Sequence, residues 1–274
     1  MDQIIVAANG ARIPAIGLGT WQLTGEVASA AVAHALRCGY RHIDTAAAYT
    51  NEEAVGQGLR ASGIKRDDVF VTTKVWWDSI DDGALQASAE ASLKRLGLEQ
   101  VDLLLIHWPN PAIPLARSIK ALNEVKRSGL ARHIGVSNFP VALLDEAVRL
   151  STEPLVANQC EYQPLLDQSK VIAACRRHGM AFVSYTPIGR GKIDGTGPIA
   201  DIARRHSRTV AQVILRWHLQ QGLVAIPRSS NPGRIAENFA VWDFALDAAD
   251  MAAISGLARP DGRIVNIAWA PAWD

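Results

Sequence analysis

The sequence has few cysteines and almost no net charge, and these two features exclude several classes of protein. Its three cysteines, Cys38, Cys160 and Cys175, are too few and too scattered for a disulfide framework or a zinc site. The 28 basic and 27 acidic residues leave a formal net charge of +1, which gives no electrostatic reason to expect binding to nucleic acid or to an anionic membrane. Neither an HExxH nor a CxxC motif occurs, so we assign no metal.

Long apolar runs are also missing. No run approaches the roughly 18–20 residues that a membrane span needs. The first residues lack the basic segment and the apolar stretch of a signal peptide. Scattered cysteines fit reduced thiols in the cytosol, so we expect a cytoplasmic protein. Because no long coiled-coil pattern occurs, we expect a monomer.

The chain does contain a regular alternation of short β-branched runs and longer helical patterns. Alternating β and α units predict parallel strands joined by helical crossovers, and eight such units fit an α/β fold of the (β/α)₈ TIM barrel type. An open doubly wound sheet is the rival. The predicted strands are Ile16–Gly19, His42–Asp44, Val69–Lys74, Val101–His107, His133–Ser137, Val156–Gln159, Ala181–Tyr185 and Val224–Pro227.

Helical patterns lie between and after these strands. They cover Glu26–Cys38, Glu52–Ser62, Ala84–Leu96, Ile113–Ser128, Val141–Leu150, Ser169–His178, a long region Pro198–Gln221, Pro232–Phe239 and Asp247–Leu257. Before the first barrel strand, Ile4–Ala7 and Ala11–Pro14 flank Asn9-Gly10, which is the strongest short signal for a β-hairpin. No linker or low-complexity stretch divides the chain, so we expect one domain over residues 1–274.

Polar side chains lie at the ends of three neighbouring predicted strands. Asp44 ends the second strand, Lys74 the third and His107 the fourth, and Tyr49 follows Asp44 by five residues. The carboxyl ends of parallel barrel strands share one face, so these side chains should point into one space. Each of them alone would more often be a solvated or packing residue. Their coincidence favours a catalytic site.

The chemistry of such a site follows from charge. A free tyrosine has a pKa of about 10 and is a weak acid near neutral pH. The Lys74 ammonium would favour the Tyr49 phenolate and lower its pKa, and Asp44 would hold Lys74 charged. Tyr49 would then donate a proton, an effect typically worth about 10²–10⁴-fold in rate, while His107 orients a substrate carbonyl or shares the proton.

At this point the residues resemble a known family, the aldo-keto reductases, and especially the prokaryotic members similar to 2,5-diketo-D-gluconic acid reductases. The motifs cover nearly the whole chain: Ile16–Trp21, Gly39–Ala46, Tyr49–Glu52, Thr73-Lys74, Leu105–Pro109, Gly135–Phe139, Asn158-Gln159, Ile226–Ser229 and Arg234–Asn238. The resemblance implies a TIM barrel with an N-terminal hairpin and a catalytic tetrad of Asp44, Tyr49, Lys74 and His107. It implies reduction of aldehydes, ketones or small dicarbonyls to alcohols with NADPH.

The resemblance also implies an extended NADPH site across the barrel mouth. Ser137, Asn138 and Gln159 would hold the nicotinamide carboxamide, and Tyr185 would stack on the ring. A loop over residues 187–195 would cover the pyrophosphate. Arginine presents a planar fork suited to phosphate oxygens, so two arginines near the 2′-phosphate would favour NADP over NAD. The remaining implied cofactor residues are Gly19, Thr20, Trp21, Asp44, Thr186, Pro187, Ile188, Gly189, Arg228, Ser229, Asn231, Arg234, Glu237 and Asn238.

The substrate pocket is expected to be aromatic. We assign to it Trp21, Tyr49, Trp76, Trp77, His107 and Trp108. Two positions depart from the family pattern, which usually has lysine at Arg228 and often a polar residue at Trp77. The tail after Leu257 is short, so we expect it to add little enclosing wall.

Three alternatives deserve comparison with this hypothesis. A Rossmann fingerprint is a weak match, because Gly17 and Gly19 are present but Gln22 replaces the third glycine. A regulatory or scaffold subunit on the same barrel would bind NADPH without significant turnover. Another barrel enzyme, such as a phosphate-sugar isomerase, would have no affinity for NADPH.

Overall fold

An eight-stranded parallel barrel forms the centre of the protein, seen in a computed structural model that describes residues 3–193 and 196–274. Its strands neighbour one another in chain order. Single bridges from Ile16 to Ala225 and from Gly19 to Arg228 join the first barrel strand to the last and close the ring. The predicted TIM barrel is confirmed, and the open sheet is excluded. The barrel strands are β3 (Leu18–Gly19), β4 (His42–Asp44), β5 (Phe70–Val75), β6 (Val101–Ile106), β7 (Ala131–Ser137), β8 (Leu155–Glu161), β9 (Ala181–Tyr185) and β10 (Val224–Ile226).

Helices surround this barrel in the order that the sequence predicts, and most boundaries agree within two residues. They are α1 (Gly25–Cys38), α2 (Glu52–Ala61), α3 (Ala84–Leu96), α4 (Leu115–Arg127), α5 (Val141–Leu150), α6 (Ser169–Arg177), α7 (Gly197–His206), α8 (Val210–Gln220), α9 (Pro232–Phe239) and α10 (Ala248–Ser255).

The predicted helical region Pro198–Gln221 is a correction, since it consists of two helices, α7 and α8. Ser207 ends α7 in a left-handed conformation with φ of 52°. The Thr209 hydroxyl then accepts from the backbone N–H of Gln212, whose side chain accepts from the Thr209 N–H. This reciprocal capping box satisfies two backbone donors at the start of α8, so the chain restarts a helix there.

The N-terminal hairpin forms as predicted, from the antiparallel strands β1 (Ile5–Ala8) and β2 (Ala11–Pro14). Asn9 and Gly10 both have positive φ, of 43° and 89°, as the two central residues of a type I′ hairpin turn require. Ile13 is fully buried and belongs to a cluster with residues at the amino ends of the barrel strands, including Leu103 and Val156. The hairpin therefore closes the amino end of the barrel.

Barrel strands are apolar on both faces because each contacts a core on either side. In β6, Leu103 and Leu105 lie in the cluster inside the barrel. Leu104 and Ile106 lie in the larger cluster between the barrel and the helices. A near-continuous hydrophobic run is what a parallel strand covered on both faces needs. Polar residues therefore stand out at the carboxyl ends of the strands.

Candidate active site

The barrel mouth, meaning the carboxyl ends of the barrel strands and the loops after them, brings the four proposed catalytic residues together. Asp44 is the last residue of β4, Lys74 is next to last in β5, and His107 directly follows β6. Tyr49 ends a short 3₁₀ turn over Ala47–Tyr49 that follows β4. Neighbouring parallel strands end at the same level, so residues distant in sequence meet here.

Lys74 and Asp44 form a buried ion pair at the centre of the mouth. Their side chains are 0% and 1% exposed, and Nζ lies 2.6 Å from Oδ1. Lys74 also donates to the Thr45 carbonyl at 2.8 Å and to the Tyr49 hydroxyl at 3.5 Å. The other Asp44 oxygen accepts from Nε2 of Gln159 at 2.7 Å. These contacts fix the ammonium group beside the phenol.

The pKa of Tyr49 corrects the simple expectation from sequence. Burial raises the pKa of the phenol, and the Lys74 ammonium, which lowers it, does not outweigh that effect. The desolvation of the phenolate, which the sequence could not reveal, is the reason. Tyr49 is therefore protonated at neutral pH, with a cation beside it that is ready to stabilise the phenolate.

Lys74 is charged near neutral pH, whereas His107 is neutral. Although burial lowers the pKa of Lys74, the Asp44 carboxylate and the Tyr49 phenol together raise it above its ordinary value. Burial, assisted by the Lys74 charge, holds the pKa of His107 well below its ordinary value. The imidazole is thus neutral near pH 7 and packs edge-on against the rings of Tyr49 and Trp76, with centroids 5.6 Å and 5.1 Å away.

The residues expected around a nicotinamide form one hydrogen-bonded chain with the tetrad. The Ser137 hydroxyl donates to the Gln159 carbonyl at 2.7 Å. The Asn138 amide donates to the His107 carbonyl at 2.9 Å and accepts from the Tyr185 hydroxyl at 2.8 Å. The structure thus places these four cofactor candidates directly beside the tetrad.

At the opposite side of the mouth, the first strand meets the last. Thr20 is buried, and its hydroxyl donates to the Asp44 carbonyl at 3.0 Å. Gly19 lies so close to this junction that a Cβ there would meet the Ile226 carbonyl oxygen at 2.8 Å. Trp21 is 36% exposed at the rim.

The residues expected around the 2′-phosphate lie on the loop before α9 and on its first turns. The Arg228 side chain donates to the carbonyls of Trp21 and Gln22. Across residues 3–193 and 196–274, neither Arg228 nor Arg234 pairs with a carboxylate. The Asn231 side chain caps α9 by accepting from the Arg234 N–H at 3.0 Å. Two exposed cations without acidic partners at a capped helix start fit a phosphate group.

The remaining 2′-phosphate candidate, Ser229, and the two adenine candidates, Glu237 and Asn238, serve the local structure as well. The Ser229 hydroxyl accepts from the Asn231 N–H at 3.1 Å. Glu237 accepts from the Thr209 hydroxyl at 2.9 Å, and Asn238 is 4% exposed. Glu237 therefore ties α9 to the start of α8, a contact that the sequence did not indicate.

The loop after β9 bends sharply over the rim. Thr186, Gly189 and Arg190 all have positive φ, and Pro187 and Ile188 lie between them. The Arg190 guanidinium carbon lies 3.9 Å from the centroid of a Trp21 ring. Arg190 is a contact residue that the sequence reasoning missed. The predicted end of this loop, Gly195, lies outside the described residues.

The cluster of aromatic side chains expected around the substrate is larger than predicted, because the tail after Leu257 contributes to it. Trp269 stacks on Trp77 with centroids 4.5 Å apart and planes 8° apart, and it contacts Trp76 and Trp108 edge-on. The expectation that this tail adds little wall is therefore wrong. The tryptophans near the end of the sequence were the signal that could have revealed it.

Glu161 explains how the tail is held, and the sequence reasoning missed it too. This buried carboxylate ends β8 and accepts from the backbone N–H groups of Ile264 and Val265, each at 2.7 Å. Backbone donors to a carboxylate form strong, charge-assisted hydrogen bonds. An acidic residue at a barrel strand's carboxyl end was the available signal.

Two kinds of site are absent from the described part of the chain. No helix in it is both long enough and apolar enough to cross a membrane. Within the same residues, no three His, Cys, Asp or Glu side chains gather as a metal ion would need.

Comparisons with known proteins agree with this geometry. Residues 15–259 match the aldo/keto reductase family. Methylglyoxal reductase DkgB of Salmonella typhimurium is 40% identical over 265 residues, which cover 96% of this chain and 99% of that protein.

Solved structures are also similar to this chain. A crystal structure assigned as 2,5-diketo-D-gluconic acid reductase B has a TM-score of 0.97 and 46% identity, covering 100% of this chain and 98% of the other. A Bombyx mori aldo-keto reductase in complex with NADP has a TM-score of 0.89 and 34% identity, covering 97% and 96%. The chain therefore belongs to the aldo/keto reductase family and is an NADP-dependent oxidoreductase that acts on carbonyl groups.

Proposed function

We propose that this enzyme reduces aldehydes, ketones or small dicarbonyls to alcohols with Tyr49 as the proton donor. The observation that carries the proposal is the buried Lys74 ammonium, held 2.6 Å from Asp44 and 3.5 Å from the Tyr49 hydroxyl. A protonated phenol beside a fixed cation is a general acid whose conjugate base is stabilised in place.

The reaction involves all four side chains of the tetrad. The neutral His107 imidazole orients a substrate carbonyl oxygen toward the Tyr49 hydroxyl. The carbonyl carbon would receive its hydride from NADPH, whose nicotinamide Ser137, Asn138 and Gln159 would hold. Tyr49 transfers its phenolic proton to the developing alkoxide, and Lys74 stabilises the phenolate that remains. Asp44 keeps Lys74 charged and aimed, because their ion pair is fully buried.

The cofactor site would use the groups already placed at the mouth. Ser137, Asn138 and Gln159 would bind the nicotinamide carboxamide, and Tyr185 would stack on the ring. Arg228 and Arg234 would bind the 2′-phosphate with Ser229 and Asn231, which favours NADPH over NADH. Gly19, Thr20, Trp21 and the loop from Thr186 to Gly189 would line the groove between, and Glu237 and Asn238 would flank the adenine.

The substrate would lie among Trp21, Trp76, Trp77 and Trp108, with the reacting carbonyl at Tyr49 and His107. An apolar wall excludes water from the reacting carbon. The named relatives support small carbonyl compounds, since one is a methylglyoxal reductase and another is assigned as a 2,5-diketo-D-gluconic acid reductase.

The test is NADPH oxidation with methylglyoxal, phenylglyoxal and 2,5-diketogluconate, with NADH as the matched cofactor control. We expect turnover with at least one of these carbonyls and a preference for NADPH. Tight NADPH binding without turnover on any carbonyl would instead support a regulatory or scaffold subunit on this barrel.

We further propose that residues 1–274 act as one barrel domain and as a monomer in the cytoplasm. A single cooperative unfolding transition and a molar mass near 29.6 kDa in solution would support the first two points. A stable dimer would contradict the second.

A further inference from the structure

The C-terminal tail carries a cation, Arg263, that has no acidic partner among the described residues. Within residues 3–193 and 196–274, the Arg263 side chain forms no ion pair, and its Nη1 atom is buried without a hydrogen bond. Its guanidinium carbon lies 3.7 Å from the centroid of a Trp273 ring. The indole Nε1 of Trp273 is also buried and without a hydrogen-bond partner. Two adjacent buried donors in the described part of the chain thus have no hydrogen-bond partner.

The nearest acidic groups are already engaged elsewhere. Glu161 accepts from the Ile264 and Val265 N–H groups, and Asp274 accepts from the Val141 N–H at 2.9 Å. Burial lowers the pKa of Arg263, and the Glu161 charge raises it without pairing directly. A half-buried charge without a counterion is costly, so an incoming anion would be favoured there.

The location of Arg263 connects it to the substrate pocket. Trp273 lies edge-on to Trp108 with centroids 6.0 Å apart, and Trp108 contacts Trp269 at 5.5 Å. Burial raises the pKa of Tyr185, and the charge of Arg263 opposes that rise. Arg263 therefore lies beside the aromatic wall and on the side of the mouth where Tyr185 ends β9.

We propose that Arg263 and the Trp273 indole N–H form a subsite for a carboxylate group of the carbonyl substrate. This rests on the proposed carbonyl reduction. A guanidinium presents two parallel N–H groups to a carboxylate, and stacking on Trp273 holds that fork in one orientation. The enzyme would then prefer aldehydes and ketones that carry a carboxylate over neutral compounds of the same shape.

The test compares each acid with its uncharged methyl ester. The pairs are 4-carboxybenzaldehyde with methyl 4-formylbenzoate, and succinic semialdehyde with its methyl ester, so two distances between carbonyl and carboxylate are sampled. We expect Arg263→Met to lower kcat/KM for at least one acid by about 10- to 100-fold, mainly through KM. Turnover of the esters should be unchanged. Arg263→Lys should recover part of the loss, and Trp273→Phe should show a smaller one.

The matched control is Arg259→Met, which removes an exposed arginine of the same tail that pairs with Asp261 at 3.1 Å. It should leave both members of each pair unchanged. Equal losses for acid and ester in Arg263→Met, or no loss for either acid, would overturn the subsite. So would a loss of NADPH affinity, because the cation would then serve the cofactor. Failure of the wild-type enzyme to reduce any acid or ester would contradict the proposed function instead.

Discussion

The two ends of the barrel differ in how fully their buried polar side chains are paired. At the amino end, Asp102 pairs with Arg66 at 2.7 Å and Arg132 at 3.3 Å, and it also accepts from the Val71 N–H at 2.9 Å. At the mouth and in the C-terminal tail beside it, the described residues include three buried donor or acceptor atoms without a hydrogen-bond partner, on His107, Arg263 and Trp273; Ser118 and Arg208 carry the other two in the described part of the chain.

This difference indicates that one end of the barrel contributes to stability and the other to ligand binding and catalysis. Buried polar groups in folded proteins almost always have partners, so an unpartnered group needs an explanation. At the hairpin end, Asp102 has its partners and Ile13 packs into an apolar core. The mouth contains the buried Lys74–Asp44 ion pair. A buried ion pair is weak evidence for stability, because the cost of desolvating the two charges offsets their attraction. We conclude that the mouth is arranged for ligands.

We expect the largest effect on this difference between the two ends from Lys74→Met. We expect turnover to fall by at least about 10²-fold, because the phenolate loses its stabilising cation. The Asp44 carboxylate, buried without its counterion, should also lower the free energy of unfolding by about 3–5 kcal/mol. Steady-state kinetics and urea denaturation measure the two effects.

The double variant Lys74→Met with Asp44→Asn is the control for that result. It removes both charges, so most of the stability should return while turnover stays low. Recovery of turnover in the double variant would show that Lys74 has no role in the chemistry.

Ile13→Ala tests the opposite end. Its side chain is fully buried under the barrel, and such truncations cost about 2–5 kcal/mol. We expect that loss in chemical denaturation, with kcat and KM unchanged below the new unfolding transition. A change in KM for NADPH would show that the two ends are coupled.

Arg228→Ala tests the cofactor side of the mouth. Loss of a charge-assisted contact to phosphate should weaken NADPH binding by about 10- to 100-fold, while NADH binding changes little. Fluorescence titration measures both. Arg149→Ala, an exposed arginine on α5, is the control and should alter neither. Equal weakening for both cofactors would place Arg228 away from the 2′-phosphate.

The smallest expected effect is that of pH on kcat/KM, whose profile should be flat near neutral pH. Burial keeps the pKa of His107 well below its ordinary value, so the imidazole stays neutral as pH falls through about 6.5, where a free histidine gains its proton. We expect kcat/KM to be constant between about pH 6 and 8. An acidic limb near 6.5 that disappears in His107→Gln would contradict this charge state.

Much of the fold follows from local sequence signals. The eight alternating units predict the barrel, and Asn9-Gly10 predicts the hairpin, because strand periodicity and turn chemistry are local properties. The α7–α8 break was missed although Thr209 and Gln212 form a capping box, since the helical pattern continues on both sides of it. The positions of Asp44, Lys74 and His107 at the ends of predicted strands indicate that they lie on one face of the barrel.

The site's enclosure could not be predicted in the same way. The stacking of Trp269 on Trp77 joins residues about 190 positions apart, and no periodicity encodes such a contact. The raised pKa of Tyr49 depends on burial, which becomes known only when the surrounding side chains are placed. The motifs therefore indicate the chemistry, whereas the packing sets its electrostatics and the shape of its pocket.

The most direct test of the central claim is single-turnover NADPH oxidation by Tyr49→Phe with a saturating aldehyde, measured beside an NADPH titration. Removing the phenolic proton should lower the rate by about 10²–10⁴-fold. The dissociation constant for NADPH should stay at its wild-type value. A near-normal rate in this variant would contradict Tyr49 as the proton donor.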